Sequence, residues 1–378
     1  MIKWLFKYGA VIFSMNTILL SIEQTYILGN QIFFTIMALF VILLVFNPIQ
    51  IKNVLFHKAF TFFLILNVIN ILYFLLFHNI SDFDAFKYLI ARGIQFSIIS
   101  VSIFFHFEFY RSEFPNLIIN VIFFILILGF IINPYVFSGR YSGIIWNPNM
   151  LSSFVVIAFA FLFLKKDRKT NFQIFMLFVF ILIALASGSR GTLVAITLAF
   201  LIKYGFSPRN VFYGIIAIIS YFIVLNFQID TSFNRFSDQS LLNDRILQFQ
   251  YAIASIKNKL FIGYGLDKYA YIDKSLVPYF LKNQIIGAHN GYLAILTQYG
   301  IVFGGTVLFI IFQKSYNVIS FFRNSDNSER SYLFIILYTL IAASYESLMT
   351  GINEFHTILF WFSLAILSFS RYKIEDAN

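Results

Sequence analysis

The chain contains no cysteine, and only 12% of its 378 residues are charged. The absence of cysteine excludes disulfide bonds and thiol catalysis. The low charge excludes a soluble domain of this size, because a water-facing surface needs many more charged groups. Hydrophobic residues make up 60% of the chain, and its mean hydropathy is +0.81. We therefore expect a polytopic membrane protein.

Apolar runs long enough to cross a bilayer recur along the whole sequence. A spanning helix needs about 20 apolar residues. The candidates cover residues 8–23, 27–46, 58–77, 86–106, 115–132, 148–164, 171–187, 190–204, 209–227, 290–312, 331–350 and 354–370. We predict an all-α integral membrane protein with about 12 transmembrane helices, forming one polytopic domain over residues 1–378. The first apolar run lacks a small-residue cleavage site, so we expect no cleavable signal peptide.

Basic residues are distributed unevenly between the two sides of the predicted spans. With the N-terminus inside, sixteen Lys and Arg residues fall in inner segments, and four fall in short outer loops and nearby helix ends. The four are Lys87, Arg92, Arg140 and Arg190. Positive charge accumulates on the cytoplasmic side of membrane proteins, which also accounts for the net charge of +10. We therefore expect both termini in the cytoplasm.

One connection is much longer than the others. Residues 228–289 join spans nine and ten on the predicted outer side. Within 241–260, residues at helical spacing predict an amphipathic helix: Ile246, Phe249, Gln250, Ile253, Ile256 and Leu260. Loops of this length are uncommon unless they are functional.

Arg190 lies inside an almost wholly apolar stretch, residues 172–204. In a single spanning helix, its guanidinium would lie at bilayer depth at a cost of about 2.5–3.5 kcal/mol. If two short helices meet at Ser187-Gly188-Ser189, the charge lies at a membrane face instead. A cation held there by a tight turn suits an anion site. The alternative is a helix end whose charge reaches the interface by snorkelling.

Further polar residues fall on the same predicted outer face. Arg245 begins the amphipathic helix, Asn149 opens span six, and His289-Asn290 closes the long loop. Arginine binds phosphate oxygens bidentately and stays charged, so Arg190 and Arg245 can together hold a pyrophosphate. Histidine titrates near neutral pH and can take a proton from a hydroxyl group.

These residues also have ordinary alternatives. Arg245 can pair with Asp238 or Asp244, and His289 can be polar surface. Glu346 and Glu354 flank the last outer turn, and the pattern extends span eleven over Glu346. An intramembrane carboxylate is a functional hypothesis by default, but it can equally pair with a neighbouring arginine. The sequence shows no spacing typical of metal ligands, so we expect no metal and no cofactor.

Three motifs follow one another between residues 139 and 305. They are Gly143-Ile144-Ile145-Trp146-Asn147-Pro148-Asn149, then Ser187-Gly188-Ser189-Arg190-Gly191, then a run from Asn243-Asp244-Arg245 through Gly263-Tyr264-Gly265 and His289-Asn290-Gly291-Tyr292-Leu293 to Gly300-Ile301. In this order, around a large outer loop, they resemble the O-antigen ligase and polymerase superfamily of bacterial surface-polysaccharide enzymes. One departure is Leu260, where that family often has proline.

The resemblance implies a metal-independent membrane glycosyltransferase, similar to the GT-C type, whose donor is a glycan linked through pyrophosphate to undecaprenol. Arg190 and Arg245 would bind the pyrophosphate, and His289 would be the catalytic base for the acceptor hydroxyl. The chain would lie in the bacterial inner membrane, with its active site on the periplasmic face. Supporting residues are expected at Asn149, Ser189, Asn290 and Glu346.

Two activities of that superfamily use the same donor. A polymerase joins lipid-linked repeat units, whereas a ligase transfers the finished glycan to lipid A-core. We favour the polymerase, because the Asn-Pro-Asn and His-Asn-Gly-Tyr-Leu forms are similar to those of polysaccharide gene clusters. A transporter of the same lipid is a third class, but the sequence shows neither repeated halves nor clearly interrupted helices. Expected partners are the lipid-linked donor, a glycan or lipid A-core acceptor, the bilayer and a chain-length regulator, and we expect no nucleic acid.

Overall fold

A computed structural model of the chain describes residues 2–136, 139–205, 207–225, 240–323 and 329–377. The side chains of residues 2, 3, 190, 217–225, 240–244 and 377 lie outside this description. The described residues are all helix and loop, with 77% helix and no strand. The predicted all-α class is therefore confirmed.

Fourteen α-helices follow one another in the described part of the chain. Their bounds are α1 Ile2–Leu19, α2 Tyr26–Phe46, α3 Pro48–Leu55, α4 Thr61–Phe77, α5 Phe83–Glu108, α6 Phe114–Ile132, α7 Pro148–Leu164, α8 Asn171–Ala186, α9 Arg190–Tyr204, α10 Pro208–Leu225, α11 Ser240–Asn258, α12 Gly291–Phe322, α13 Glu329–Ala342 and α14 Phe355–Ala377. Each predicted span overlaps one of these helices, and α11 is the helix predicted in the long loop.

Among the described residues, four segments are long and apolar enough to cross a bilayer by themselves. They are Glu23–Phe46, Lys58–Phe77, Phe83–Ile132 and Gly291–Phe322. Helices α7, α8 and most of α9 are also apolar but shorter. These helices indicate a membrane protein, whereas the number of twelve spans stays a prediction.

The centre of the bundle is formed by helices that are apolar on every side. In α7 the four consecutive residues 155–158 are all fully buried. A helix buries such a run only when neighbours surround it, and α7 packs against α6, α8, α9 and α13. Helix α14 is similarly enclosed by α13, α5, α12 and α1. These two helices fix the positions of the loops that lead into their N-terminal ends.

Helix α12 is interrupted at Gly300, and the segment that follows α11 fills the break. Gly300 has a φ of +71°, outside the helical region. The Ile301 N–H donates to the carbonyl of Leu260 at 2.7 Å, and the Tyr264 N–H donates to the carbonyl of Thr297 at 2.9 Å. Backbone groups at bilayer depth need partners within the protein, and the inserted segment supplies them.

The inserted segment can approach the backbone of α12 closely because Gly263 of the segment faces Gly300 of the helix. A methyl group at Gly300 would lie 2.3 Å from the carbonyl oxygen of Phe261, and one at Gly263 would lie 2.4 Å from the backbone nitrogen of Gly300. Gly263 also has a positive φ of +66°. The Gly-Tyr-Gly motif is therefore a docking element of the long loop, since only glycine combines this backbone conformation with this contact.

We expect Gly300→Ala to destabilise the protein by about 3 kcal/mol or more, because the new methyl group overlaps backbone that cannot move aside. Gly305 of the same helix is the matched control, because a methyl group there meets nothing within 4 Å among the described atoms. Thermal unfolding in detergent, followed by intrinsic fluorescence, measures both variants. Equal melting temperatures for Gly300→Ala and Gly305→Ala would show that the docked segment does not support the helix.

Candidate functional site

A cleft of about 480 Å³ opens at one face of the bundle, called the cleft face below. Four of the described helices, α7, α9, α12 and α14, begin at this cleft. Helix N-termini carry unpaired N–H groups and the positive end of the helix dipole, so the cleft suits an anion. Polar residues along its wall include Asn147, Asn149, Ser189, Tyr269, His289, Tyr345, Glu346 and Glu354.

Three residues selected from the sequence meet here from three separate segments, with His289 and Glu346 on the cleft wall and Arg245 in contact with Glu346. Arg245 on α11 donates to the carbonyl of Tyr345, and its Nη2 lies 3.0 Å from Oε1 of Glu346. The other carboxylate oxygen, Oε2, lies 3.6 Å from Nδ1 of His289. That distance exceeds a hydrogen bond but is within ion-pair range. The carboxylate of Glu346 therefore lies between a guanidinium and an imidazole.

Glu346 belongs to the loop of residues 343–354, so its placement within span eleven was wrong. Helix α13 ends at Ala342, earlier than the predicted limit at residue 350. The physical reason is a competing contact, because the first N–H of α12, from Gly291, takes the carbonyl of Ala343 at 2.7 Å. Of the two alternatives for Glu346, pairing with an arginine is the one observed. The alternative partners of Arg245, Asp238 and Asp244, lie outside the described side chains.

Two neighbouring side chains hold Glu346 in its charged form. Burial raises the pKa of this carboxyl group, but the imidazole of His289 and the guanidinium of Arg245 together outweigh burial. The pKa of Glu346 therefore lies below its ordinary value of 4.5. A carboxylate that remains ionised at neutral pH favours a proton on the histidine nitrogen that faces it.

Glu354 is a second carboxyl group at the cleft, and its surroundings act in the opposite direction. The hydroxyl of Tyr269 donates to Oε1 at 2.5 Å, and that of Thr357 donates to Oε2 at 2.9 Å. Burial nevertheless raises the pKa of Glu354 above 4.5, against the effect of these hydrogen bonds. Two carboxyl groups whose pKa values are shifted in opposite directions are typical of a site that moves protons.

His289 is held in an unusual backbone conformation by the residue that follows it. Its φ is +40°, a left-handed value that costs a residue other than glycine of order 1–3 kcal/mol. Asn290 caps α12 by accepting the Leu293 N–H at 3.0 Å, and its amide donates to the carbonyl of Ser344 at 2.9 Å. The predicted supporting residue Asn290 therefore fixes the histidine against the loop of residues 343–354.

The stretch around Arg190 is two helices, as predicted. Helix α8 ends at Ala186, α9 begins at Arg190, and Gly188 between them has a φ of +62°. Ser189 and Gly191, on either side of Arg190, both line the cleft. The side chain of Arg190 lies outside the described residues, so its contact with an anion stays a prediction.

Asn149 links two of the loops at the cleft. Its side-chain oxygen accepts a hydrogen bond from Nη2 of Arg140 at 2.5 Å, and the Nε of Arg140 donates to the carbonyl of Ser187 at 3.1 Å. Arg140 thereby ties the start of α7 to the turn that precedes α9. The side-chain oxygen of Asn149 thus has a structural partner at the cleft wall. Any contact with substrate would come from its amide nitrogen.

Arg92 has a role that the charge count did not reveal. Its side chain is buried, with 3% exposed. It donates to the carbonyl of Thr350 and, at 2.6 Å, to the side-chain oxygen of Gln95. Because Thr350 lies between Glu346 and Glu354, Arg92 fixes the loop that carries both carboxyl groups. Hydropathy and charge counting place such a residue at a helix end, since neither carries information on tertiary contacts.

One cluster of metal-type ligands forms in the described part of the chain, from His78, Asp82 and Asp267. Nδ1 of His78 lies 2.6 Å from Asp82, and its Nε2 accepts the Leu266 N–H at 3.1 Å. Asp267 in turn lies 2.5 Å from Nζ of Lys268. Both imidazole nitrogens and both carboxylates are thus engaged, and the cluster fits a hydrogen-bonded contact between the α4–α5 turn and the long loop.

In a comparison with known families, residues 174–310 fit the family model described as O-antigen ligase. The predicted resemblance to the superfamily is confirmed over this region. The matched region is somewhat over a third of the chain and contains Arg190, Arg245 and His289, whereas Asn149 and Glu346 lie outside it. Members of this family are glycosyltransferase-like enzymes. A comparison with curated proteins finds no match.

The two cleft carboxyl groups should affect stability in opposite directions. Glu346 has a lowered pKa, so its contribution is present above pH 4.5 and is lost as the pH falls through its pKa in the folded protein. Glu354 has a raised pKa, so stability is lost as the pH rises from 4.5 through its pKa in the folded protein. At pH about 7 we expect Glu346→Gln to lower the melting temperature and Glu354→Gln to raise it.

Melting curves of both variants and the wild type between pH about 4 and 8 check this prediction. The Glu354→Gln difference should shrink as the pH falls towards 4.5, whereas the Glu346→Gln difference should begin to shrink only below pH 4.5. Two variants that shift the melting temperature in the same direction at neutral pH would contradict the assigned charge states.

Proposed function

We propose that the chain is a membrane glycosyltransferase that polymerises undecaprenyl-pyrophosphate-linked oligosaccharide repeat units, as an O-antigen or surface-polysaccharide polymerase. The single observation that carries the proposal is the meeting of Arg245, Glu346 and His289 at a cleft where four described helices begin. This arrangement places an arginine that can bind an anion close to a histidine that can accept a proton. The match to the O-antigen ligase family supports a lipid-linked glycan as the donor.

The proposed reaction is direct displacement at the anomeric carbon of the donor. The acceptor hydroxyl oxygen forms the new glycosidic bond, and the bond between the anomeric carbon and the pyrophosphate oxygen breaks. The electron pair leaves with undecaprenyl pyrophosphate, whose charge Arg190, Arg245 and the N-terminus of α9 stabilise. Attack on the side opposite the leaving group inverts the configuration at that carbon.

The proton of the acceptor hydroxyl passes to His289. Because Nδ1 faces the Glu346 carboxylate, Nε2 is the nitrogen left to accept a proton. The positive charge that develops on the imidazole is then stabilised by Glu346, as an acidic partner orients a catalytic histidine. Glu346 also contacts Arg245, so a single side chain aligns the base and the anion-binding group.

The long loop contributes to the walls of the cleft. Tyr269, Ala270, Ile286 and Gly287 of this loop line it. A wall of this kind reduces access of water to the donor, which would otherwise be hydrolysed. We place this cleft on the periplasmic side of the bacterial inner membrane, with both termini in the cytoplasm, because the basic residues favour that orientation.

A ligase that transfers the finished glycan to lipid A-core is the second candidate. The family description, O-antigen ligase, favours it. The proposed donor chemistry is the same, so the acceptor distinguishes the two functions. In a deletion strain, loss of a polymerase leaves single repeat units on the core, whereas loss of a ligase leaves free lipid-linked polymer.

Transfer by purified protein with a defined lipid-linked donor tests the proposed roles. We expect Arg190→Lys and Arg245→Lys to lower the transfer rate by about 10²–10³-fold, because lysine cannot bind phosphate bidentately. His289→Asn should lower it by about 10²–10⁴-fold while keeping the fold, because asparagine tolerates a left-handed backbone.

The matched control is Arg168→Lys, at an exposed position outside the cleft. It should retain full activity. Full transfer activity in folded His289→Asn or Arg245→Lys protein would exclude the proposed mechanism.

A further inference from the structure

The described side chains of α11 divide between a buried side and an exposed side. Among them Gln248, Ala252 and Ser255 are buried and face the rest of the long loop and α12, and Leu247 and Tyr251 pack on the same cluster. Ile246 and Ile253, from the predicted apolar set, are 50% and 43% exposed. Successive helix residues are about 100° apart, so these two isoleucines share one outward side.

The exposed apolar side continues beyond the end of α11. Leu260, Phe261 and Ile262 are all exposed, with 65% of Phe261 accessible. With Ile246 and Ile253 they form what we call the apolar ridge, residues 246, 253 and 260–262. Gln250 and Lys257 of α11 are also exposed on the side of the two isoleucines, so polar side chains accompany the apolar ones there.

The ridge joins the exterior of a membrane-spanning helix. The backbone of Leu260 is hydrogen-bonded to Ile301 of α12, at the Gly300 break. Ile301 and Val302 are 47% and 56% exposed and belong to a segment long and apolar enough to cross the bilayer. The apolar surface is therefore continuous from the bilayer-facing side of α12 to α11.

A second spanning helix fixes the same region. The hydroxyl of Tyr73 on α4 donates to the carbonyl of Ile262. Leu76, in the last turn of α4, is exposed. The 260–262 segment thus contacts two spanning helices, α4 near its C-terminal end and α12 at its Gly300 break.

Charge at the end of α11 fits the same location. Lys257 and Lys259 are exposed next to the ridge, and Nζ of Lys259 lies 4.7 Å from the centre of the Tyr264 ring. Basic side chains beside an apolar helix face are typical of helices that lie in the membrane interface, with lysines at the phosphate level.

We propose that the apolar ridge lies in the acyl boundary of the leaflet on the cleft face, so that α11 rests on bulk lipid. The occupant is lipid because the ridge is continuous with the exposed side of α12. Contact of the ridge with lipid sets the depth of Arg245, in the second turn of α11, relative to the lipid headgroups. The exposure of the ridge and its contacts do not depend on which glycan the cleft receives.

Single-cysteine variants test the proposal directly, because the chain has no cysteine of its own. The test positions are Ile253→Cys and Phe261→Cys, each labelled with an environment-sensitive nitrobenzoxadiazole probe. Val302→Cys on α12 is the lipid-facing control, and Asn283→Cys, an exposed polar position of the same loop, is the aqueous control. Labelled proteins are reconstituted in phosphatidylcholine–phosphatidylglycerol vesicles with brominated acyl chains and without any glycan donor.

We expect probes at Ile253 and Phe261 to lose emission in brominated lipid to an extent comparable with the Val302 probe, and to resist aqueous iodide. The Asn283 probe should show the reverse. Probes at Ile253 and Phe261 that behave like the Asn283 probe would overturn the proposal. Shielding that appears only after lipid-linked donor is added would also overturn it, since the occupant would then be the polyprenyl tail. Melting temperatures of the labelled proteins confirm that each is folded.

Discussion

The carboxylate of Glu346 is the contact on which the site depends. It joins Arg245 of α11 to His289 before α12, so two distant parts of the long loop meet at one side chain. In the cleft a carboxylate is stable as a charge only because two cationic or hydrogen-donating partners offset its burial. Without it, Arg245 and His289 would face each other at a surface already positive from four helix N-termini.

The position of Glu346 is in turn a consequence of packing in the membrane. The buried side chain of Arg92 holds the loop of residues 343–354 by donating a hydrogen bond to the carbonyl of Thr350. On the other side, the long loop is anchored where α12 breaks at Gly300. Both anchors meet the same requirement, since backbone groups without water must be paired within the protein. The site therefore lies on loops, but its supports are helices.

Much of this architecture follows from local patterns in the sequence. Hydropathy locates the helices, and the cost of burying Arg190 predicts the break between α8 and α9. Sequence patterns also indicate Arg245 and His289 as residues on one face. The pairing of Arg245 with Glu346 is beyond such patterns, because no spacing relates residues so far apart. The burial of Arg92 and the early end of α13 are tertiary effects, and they override hydropathy for the same reason.

Helix α11 shows a further limit of periodicity. The apolar spacing correctly predicts a helix, but the side that packs on the protein contains Gln248, Ala252 and Ser255. A hydrophobic stripe indicates which side avoids water, and in a membrane protein that side can face either the protein core or lipid. Only the three-dimensional contacts distinguish the two, and here they leave the isoleucines outside.

The most direct test of the account is a double-mutant cycle between Glu346→Gln and His289→Asn, measured as transfer rate with purified protein and a defined lipid-linked donor. If the carboxylate acts through the histidine, Glu346→Gln should lower the rate of His289→Asn protein much less than it lowers the wild-type rate, because only its effect through Arg245 remains. Independent losses that multiply in the double variant would contradict the central claim that the two residues act as one unit.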